Sequence, residues 1–353
     1  MAVDLAGRLE LPVPVVVAPM AGGPSTPALV TAAGAAGGLG FLAAGYRDAG
    51  QVREQVAQVR ALTARPFGVN VFVPGSAAVD RVALDAYAAR LAPVAERLGV
   101  KPGEPRWDDD DYAAKLDLLV AEPVPLVSFT FGCPAQVDVE RLHRAGSLVA
   151  VTVTSPAEAV SAAEAGADAV CVQGTEAGAH RGSFHDDPAE PPGAGALRLF
   201  DLIPQVRATV PLPLLAAGGL MTGADIAAVL AAGASLAQLG TAFLCCPEAG
   251  TNRTHRQALL AGGYWATGFT RAFTGRTARG LVNGFFQEYT DGAPAGYPHV
   301  HHLTRPLRTA AAEQGDAEAL HLWAGEGWRR IRPLPAAELM STLGAEVAAE
   351  RAP

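Results

Sequence analysis

The chain contains very little lysine. Only Lys101 and Lys115 occur among its 353 residues, and arginine supplies the rest of the 27 lysines and arginines. Neither lysine stands at the end of an apolar run that predicts a buried strand. Because a Schiff base to a carbonyl substrate needs a lysine amine inside the site, this scarcity argues against Schiff-base chemistry.

Cysteine is also scarce and is poorly spaced for chemistry. Of the four cysteines, only Cys245 and Cys246 are close together, and adjacency is not the spacing of metal ligands. Small buried hydrophobes in a reducing compartment are the better interpretation. We therefore expect no metal site.

Long apolar runs, basic clusters and a signal-peptide core are missing as well. No run of about 18 uncharged apolar residues occurs, which argues against a membrane-spanning helix. Residues 1–12 include three charged side chains and no apolar signal core. The net charge of −8 without a basic cluster argues against a nucleic-acid surface. A cytoplasmic globular protein, as a monomer or a homodimer, is the resulting expectation.

Eight short apolar runs alternate with helix-length segments through the first 250 residues. They predict strands that begin near residues 13, 38, 67, 126, 147, 169, 212 and 235. Eight βα units in roughly 250 residues are typical of a TIM (β/α)8 barrel. A doubly wound open sheet is the alternative, but no GxGxxG turn follows the first strand. We therefore predict a TIM barrel over residues 1–250.

Two segments depart from the alternation. Residues 76–123 predict a helical insertion after strand 3, and the sequence leaves open whether it is a mobile lid. Its four aspartates at 108–111 fit a helix N-terminal charge cluster better than a metal site. Residues 251–353 predict a C-terminal helical segment that packs on the barrel and covers the active site.

Glycines follow the seventh and eighth predicted strands, in Ala216-Ala-Gly-Gly219 and Gln238-Leu-Gly-Thr-Ala242. Glycine lets the main chain approach a phosphate closely, and TIM barrels commonly bind phosphate after these two strands. No lysine is near, so backbone N–H groups would bind the phosphate with help from the Thr241 hydroxyl.

Other strand ends carry polar or polarisable side chains, namely Met20, Asn70 and Gln173. Amide side chains both donate and accept hydrogen bonds, which suits a flat heterocycle such as a flavin better than a sugar phosphate alone. His180, in the loop after strand 6, is the best candidate for acid or base chemistry. The segment Tyr297-Pro-His-Val-His-His302 can cover the site, and its histidines lack the further ligands that a metal site requires.

Six motifs stand out along the chain: VAPMAGG (17–23), GVNVF (68–72), QGTEAGAHRG (173–182), AAGG (216–219), QLGTAF (238–243) and GRTARGL (275–281). Together they resemble the nitronate monooxygenases, formerly called 2-nitropropane dioxygenases, and most closely their bacterial class I branch. One departure is that family loops usually carry two glycines before the histidine, whereas this chain has Gly178 and Ala179. A methyl group is tolerable there unless the residue needs positive φ.

The resemblance implies a TIM-barrel flavoprotein that holds FMN non-covalently and oxidises alkyl nitronates, such as propionate 3-nitronate, with O2. The products would be carbonyl compounds and nitrite or nitrate, and no nicotinamide cofactor would be needed. His180 would stand over the flavin on the substrate side. FMN contacts are expected at Met20, Asn70, Gln173, Gly178, Gly218, Gly219, Gln238, Leu239, Gly240 and Thr241.

Substrate binding is expected at Arg181 and Tyr297. A nitronate is an anion, so a protonated His180 or Arg181 would attract it, and we favour this role because nitronates are the class I substrates. A neutral His180 would instead remove the α-proton of a neutral nitroalkane. An internal ion pair that holds the loop is the expected role of Glu176.

Three alternative functions require features that this sequence fits less well. A flavin-dependent enoyl-acyl-carrier-protein reductase on the same barrel would need NAD(P)H, and the GRTARGL segment and the C-terminal tail favour the monooxygenase instead. An inosine-monophosphate-dehydrogenase-like barrel needs a nucleophilic cysteine after strand 6, and residues 174–195 contain none. A non-catalytic flavin-binding barrel would have no use for His180.

Overall fold

Eight parallel strands close into a barrel in the computed structural model, which describes residues 5–351. Residues 1–4, which belong to the N-terminal stretch without an apolar signal core, lie outside this range. The last barrel strand pairs with the first, with Val16 opposite Gln238, so the predicted TIM barrel is confirmed. The barrel strands are β1 (Val15–Val17), β2 (Leu39–Ala43), β3 (Gly68–Phe72), β4 (Leu126–Thr130), β5 (Leu148–Val153), β6 (Ala169–Gln173), β8 (Leu214–Ala217) and β9 (Leu236–Leu239).

The barrel strands are mostly apolar because both of their faces are buried, and a few polar side chains, such as Asn70 in β3 and Thr152 in β5, interrupt them. Side chains that include Leu39, Phe41, Leu126 and Leu215 fill the barrel interior, and Leu5 of the N-terminal helix α1 joins the same cluster. The predicted eighth strand, 235–244, is shorter than expected, since the chain turns at Gly240 into a 3-10 helix over Thr241–Phe243.

The helices surround the barrel, and several begin at side-chain caps such as Thr26, Asp48, Ser155 and Thr222. Their bounds are α1 (Leu5–Arg8), α2 (Pro27–Ala35), α3 (Ala49–Leu62), α4 (Arg81–Arg90), α5 (Ala92–Leu98), α6 (Tyr112–Ala121), α7 (Gln136–Ala145), α8 (Pro156–Glu164), α9 (Leu199–Thr209), α10 (Gly223–Ala231), α11 (Arg253–Ala261), α12 (Gly284–Tyr289), α13 (His299–Gln314) and α14 (Ala336–Glu350), with a second 3-10 helix over Trp328–Arg330.

The connection between β3 and β4 holds three helices. α6 packs on β3, α3 and α7 and so belongs to the barrel's outer layer, whereas α5 packs on α13. The first part of the predicted helical insertion is two helices, α4 and α5, which meet at Leu91.

The acidic run before α6 holds three parts of the molecule together rather than capping that helix. Asp108 accepts a bond from His302 in α13 (2.6 Å between Oδ2 and Nε2). Asp110 accepts from the backbone N–H of Tyr46 (2.7 Å), and Asp111 from that of Ala49 (2.8 Å). The carboxylates therefore satisfy distant donors, and no side-chain cap bond forms at α6.

The segment after β9 is not purely helical, in contrast to our expectation. It contains β10 (Thr267–Thr270) and β11 (Ala278–Leu281), which form an antiparallel sheet with β7 (Ala179–His180) from the loop after β6. Helix α14 lies against α10, α2 and β1, which is the place of the eighth barrel helix. The barrel therefore uses residues on both sides of the predicted boundary at 250. None of the described helices combines the length and apolar character needed to cross a bilayer.

Candidate active site

A cavity of about 750 Å³ opens at the carboxyl ends of the barrel strands. Strand-end loops form its floor and sides, and α13 and the chain near Trp323 lie over it. The structure brings together every predicted cofactor residue and the predicted catalytic histidine at this cavity. These residues are Met20, Asn70, Gln173, Gly178, His180, Gly218, Gly219, Gln238, Leu239, Gly240 and Thr241.

A belt of polar side chains from five strands forms the cavity floor. Asn70 donates from Nδ2 to Thr130 Oγ1 (3.0 Å), and Thr130 bonds Thr152 (3.2 Å between the hydroxyl oxygens). Gln238 donates from Nε2 to the Cys171 sulfur (3.2 Å). Asn70 Oδ1 and Gln238 Oε1 have no hydrogen-bond partner within residues 5–351, so both are available to accept from a ligand's N–H groups.

The ends of β8 and β9 form a second polar region. Gly218 (φ 132°) and Gly219 (φ 71°) adopt backbone conformations that favour glycine. A Cβ added at Gly240 would be in ordinary van der Waals contact with Ala18 Cβ at 3.5 Å, and Gly240 lines the cavity. Thr241 Oγ1 accepts from the Gly325 N–H (3.0 Å), which leaves its O–H free to donate.

Gln173 holds the loop after β6 in place. Its Nε2 donates to the His180 carbonyl (3.0 Å), and its Oε1 accepts from the Gly182 N–H (2.8 Å). Sequence reasoning predicted only a cofactor contact for this side chain. Ala179 has a φ of 63°, which costs an L-residue roughly 1 kcal/mol, so the departure from two glycines does strain the loop.

Glu176 forms the ion pair that the sequence predicted, with Arg198 (3.2 Å between Oε1 and Nη2). Its carboxylate also accepts from the Leu199 N–H at the start of α9 (3.0 Å). The side chain thus ties the loop after β6 to the following helix.

Arg181 does not belong to the cavity lining. Its guanidinium donates to the carbonyl oxygens of Gln173 (2.6 Å) and Thr154 (3.4 Å), and the side chain is buried. Because these groups lie at the ends of β6 and β5, Arg181 supports the loop instead of facing a substrate. The predicted substrate role of Arg181 therefore does not fit its position.

His180 lies beneath a group of aromatic rings. Its ring centroid is 5.5 Å from that of Phe131, 5.9 Å from that of Tyr297 and 5.6 Å from that of Trp323. Tyr297 is therefore next to the catalytic candidate, although it does not itself line the cavity. Among the histidines of the covering segment, His301 lines the cavity, whereas His302 is paired with Asp108.

The contacts of His180 leave one ring nitrogen free. Its Nε2 bonds Thr274 Oγ1 (2.9 Å), and the Thr274 hydroxyl has a second acceptor in the Arg276 carbonyl (3.4 Å). In the tautomer with the proton on Nε2, the imidazole donates to Thr274 and Nδ1 carries the lone pair. Nδ1 has no hydrogen-bond partner in the described part of the chain, so its lone pair is free to accept a proton from a ligand.

The charge state of His180 differs from the one that we favoured from the sequence. Burial, followed by the positive charges of Arg276 and Arg308, lowers the pKa of His180 to about 3. The imidazole is therefore neutral near pH 7 in the free site. This favours the role of a base over that of a cation that attracts the substrate.

Several cavity residues were missed from the sequence. They come from the loop after β2 and from the C-terminal segment, which carry no strand-end signal. A polar face repeated along α13 is the only local pattern that points to part of this set. The residues are Tyr46, Thr274, Arg308, His321 and Trp323. Among residues 5–351, no group of three or more potential ligands is arranged to hold a metal ion.

Burial of His255 makes the fold sensitive to acid. Burial lowers its pKa from 6.5 to about 4, and its Nε2 bonds the Trp323 carbonyl (3.0 Å). The unfolded chain binds a proton below pH 6.5 while the folded chain does not, so stability is lost as pH falls from 6.5 towards 4. In His255→Gln, we expect the loss of unfolding free energy between pH 7 and pH 4 to shrink by about 1–3 kcal/mol. Urea unfolding at both pH values measures this.

The matched control for that prediction is His185→Gln, because His185 is exposed. It should leave the pH dependence of unfolding unchanged. Equal pH dependence in wild type and His255→Gln would show that the His255 ring is not held in its neutral form by the fold.

The closed barrel, the glycines at the ends of β8 and β9 and the polar cavity floor are features of flavin-dependent TIM-barrel oxidoreductases. The family described as nitronate monooxygenase matches residues 8–346. A probable nitronate monooxygenase of Staphylococcus aureus (strain Newman) is 35% identical over 342 residues, covering 96% of this chain and 95% of that protein. The chain belongs to the nitronate monooxygenase family and is a flavin-dependent oxidoreductase.

Solved structures agree with this assignment. The nitroalkane oxidase from Streptomyces ansochromogenes is 49% identical and superimposes with a TM-score of 0.95, covering 99% of both chains. FabK from Thermotoga maritima is 24% identical with a TM-score of 0.76, covering 99% of this chain and 97% of that one. The likeness to FabK shows the shared fold alone.

Proposed function

We propose that this enzyme uses FMN and O2 to oxidise alkyl nitronates, such as propionate 3-nitronate, to carbonyl compounds and nitrite or nitrate. The observation that carries the proposal is the cavity of about 750 Å³ at the strand ends, which His180 lines together with the glycines that follow β8 and the free amide oxygens of Asn70 and Gln238. The family and the similarity to a nitroalkane oxidase support the same chemistry. A cytoplasmic location and a monomeric or homodimeric state remain predictions from the sequence.

The residues present fit FMN. The bare backbone at Gly240 and the turn at Gly218–Gly219 suit a phosphate, which Thr241 can also meet with its hydroxyl. A free amide oxygen of Asn70 or Gln238 suits the N3–H of an oxidised flavin ring, which is the one N–H group of that ring. When bound, FMN supplies the redox chemistry of the reaction.

The side chains around His180 prepare it to accept a proton. Thr274 holds Nε2–H and thereby directs the lone pair of Nδ1 away from itself. The rings of Phe131, Tyr297 and Trp323 shield the imidazole from water. A preformed nitronate has already lost its α-proton and needs no such base.

A second candidate activity follows from the neutral His180, namely the oxidation of neutral nitroalkanes. Nδ1 takes the α-proton, which leaves an imidazolium beside the nitronate anion. Because its pKa is so low, the His180 imidazole is a weak base before a substrate is bound. An anion bound near Arg276 and Arg308 offsets the two positive charges that lower it, so basicity rises once the nitronate forms.

The test of the proposed function uses the protein purified with its cofactor. We expect flavin absorbance near ~450 nm and O2 consumption on addition of propionate 3-nitronate in air, without NADH. Anaerobic mixing with NADPH is the control for the reductase alternative, and it should leave the flavin oxidised. Bound flavin without O2 consumption on any nitronate would refute the proposal.

A further inference from the structure

Arg308 is a buried cation without an anionic partner. It lines the cavity from α13, its side chain is 8% exposed, and it forms no ion pair with any carboxylate of residues 5–351. Two other buried arginines are paired: Arg271 with Asp186 (2.7 Å) and Arg279 with Glu326 (3.3 Å). A buried charge is costly unless an opposite charge or a full set of hydrogen bonds compensates it.

The guanidinium of Arg308 is held firmly but incompletely. Nε donates to Thr304 Oγ1 (3.1 Å), and Nη2 donates to the His301 carbonyl (3.0 Å) and to His301 Nδ1 (3.2 Å). Nη1 has no hydrogen-bond partner in the described chain. One edge of the guanidinium therefore fixes its orientation, while Nη1 is left for a ligand in the cavity.

His301 supplies a second donor next to Arg308. Because its Nδ1 accepts from Arg308, its proton lies on Nε2, for which the described residues offer no acceptor. The ring is stacked on Tyr46, with centroids 4.3 Å apart and planes 5° apart, so its direction is fixed. His301 lines the same cavity.

Arg181 and Arg276, the other buried arginines without a carboxylate partner among residues 5–351, are not equivalent candidates. Neither is among the cavity-lining residues. Arg181 donates to the Gln173 and Thr154 carbonyls, and Arg276 bonds the Ser183 carbonyl and lies over the Phe131 ring at 4.1 Å from the centroid. Arg308 is thus the buried cation that faces the cavity with a free donor. The glycine-rich phosphate region belongs to other elements, the ends of β8 and β9.

We propose that Arg308, positioned by His301 and Thr304, binds an anionic group on the substrate tail, a carboxylate at a distance from the carbon that is oxidised. Arg308 is then the residue that distinguishes carboxylate-bearing nitronates from plain alkyl nitronates. The predicted preference for carboxylated nitronates rests on the proposed function. Binding of an anion at Arg308 does not, and it can be tested without turnover.

The kinetic test compares propionate 3-nitronate with propyl 1-nitronate, which carries a methyl group in place of the carboxylate. In Arg308→Met, we expect the ratio of kcat/KM for these two substrates to fall at least about tenfold, mainly through KM of the carboxylated one. Arg308→Lys should restore part of the ratio. A purely structural role for Arg308 would lower both values together and leave the ratio unchanged, which would overturn the inference.

Binding of propionate to the flavin-loaded enzyme, measured by calorimetry, gives the readout independent of turnover. Wild type should bind it at least about tenfold more tightly than Arg308→Met. The matched control is Arg253→Met, an exposed arginine that does not line the cavity, which should retain tight propionate binding. Equal propionate affinity in wild type and both Arg308 variants would refute the site. Arg308-dependent propionate binding without oxidation of any nitronate would refute the proposed function alone.

Discussion

Replacing His180 by asparagine will slow the oxidation of neutral nitroalkanes by about 10²- to 10⁴-fold, the usual contribution of a positioned general base. The oxidation of preformed nitronates should fall much less, because their α-proton is already gone. The reason is the free Nδ1 of a neutral His180, which an asparagine amide cannot replace as a proton acceptor. Initial rates of O2 consumption with nitroethane and with ethyl nitronate measure the two effects in one preparation.

His185→Asn is the matched control, since His185 lies in the same connection after β6 but is exposed. Its rates with both substrates should equal those of wild type, and flavin content should be equal in all three proteins. Equal losses on nitroethane and ethyl nitronate in His180→Asn would contradict the role of a base. They would place His180 in a step that both substrates share.

The barrel could be predicted because each of its strands and helices has a signal within its own short stretch of sequence. Each strand is buried on both faces, so each appears as a short apolar run, and the helices between them have ordinary caps. The topology then places the loops after successive strands at one edge. That is why Asn70, Gln173, His180 and Gly240 could be assigned to one site before any contact was known.

The rest of the site depends on long-range packing. Thr274 and Arg308 reach the cavity from the C-terminal segment, and nothing in their own neighbourhoods indicates which strand ends they will meet. The charge state of His180 depends on Arg276 and Arg308 together with burial, so the sequence could not give it. A residue type predicts what a side chain can do, and its surroundings decide its protonation.

The acidic run before α6 also has a role that local sequence rules do not predict. Local rules favour aspartates at a helix start, where they stabilise the helix dipole. Here Asp110 accepts from the Tyr46 N–H and Asp111 from the Ala49 N–H, both between the end of β2 and the first turn of α3. Asp110 also pairs with Lys115 of α6 (2.7 Å between Oδ2 and Nζ), so the acidic run joins α6 to the end of β2 near the cavity.

Gly240→Asp will weaken FMN binding by about a hundredfold or more. The backbone at this position has φ −107° and ψ −66°, so an L-residue introduces no left-handed strain. The nearest atom to an added Cβ is 3.5 Å away, so the protein itself accepts a Cβ here without a clash. Like charges held within roughly 5 Å repel by about 3 kcal/mol at an intermediate effective dielectric, which corresponds to about a hundredfold in affinity. Flavin content after purification and titration of FMN into the stripped protein measure the loss.

Gly263→Asp adds the same charge at a surface glycine that has no neighbour within 4 Å, and it should leave FMN affinity unchanged. Gly240→Ala separates the effect of added side-chain volume from that of added charge, because it adds a methyl group and no charge. It should weaken FMN binding less than Gly240→Asp does. Thermal unfolding of the stripped proteins should be nearly the same for wild type and Gly240→Asp, since the protein alone accepts a Cβ here without a clash. Full FMN affinity in Gly240→Asp would mean that the phosphate lies away from the end of β9, and the glycines at β8 would then be the remaining candidates.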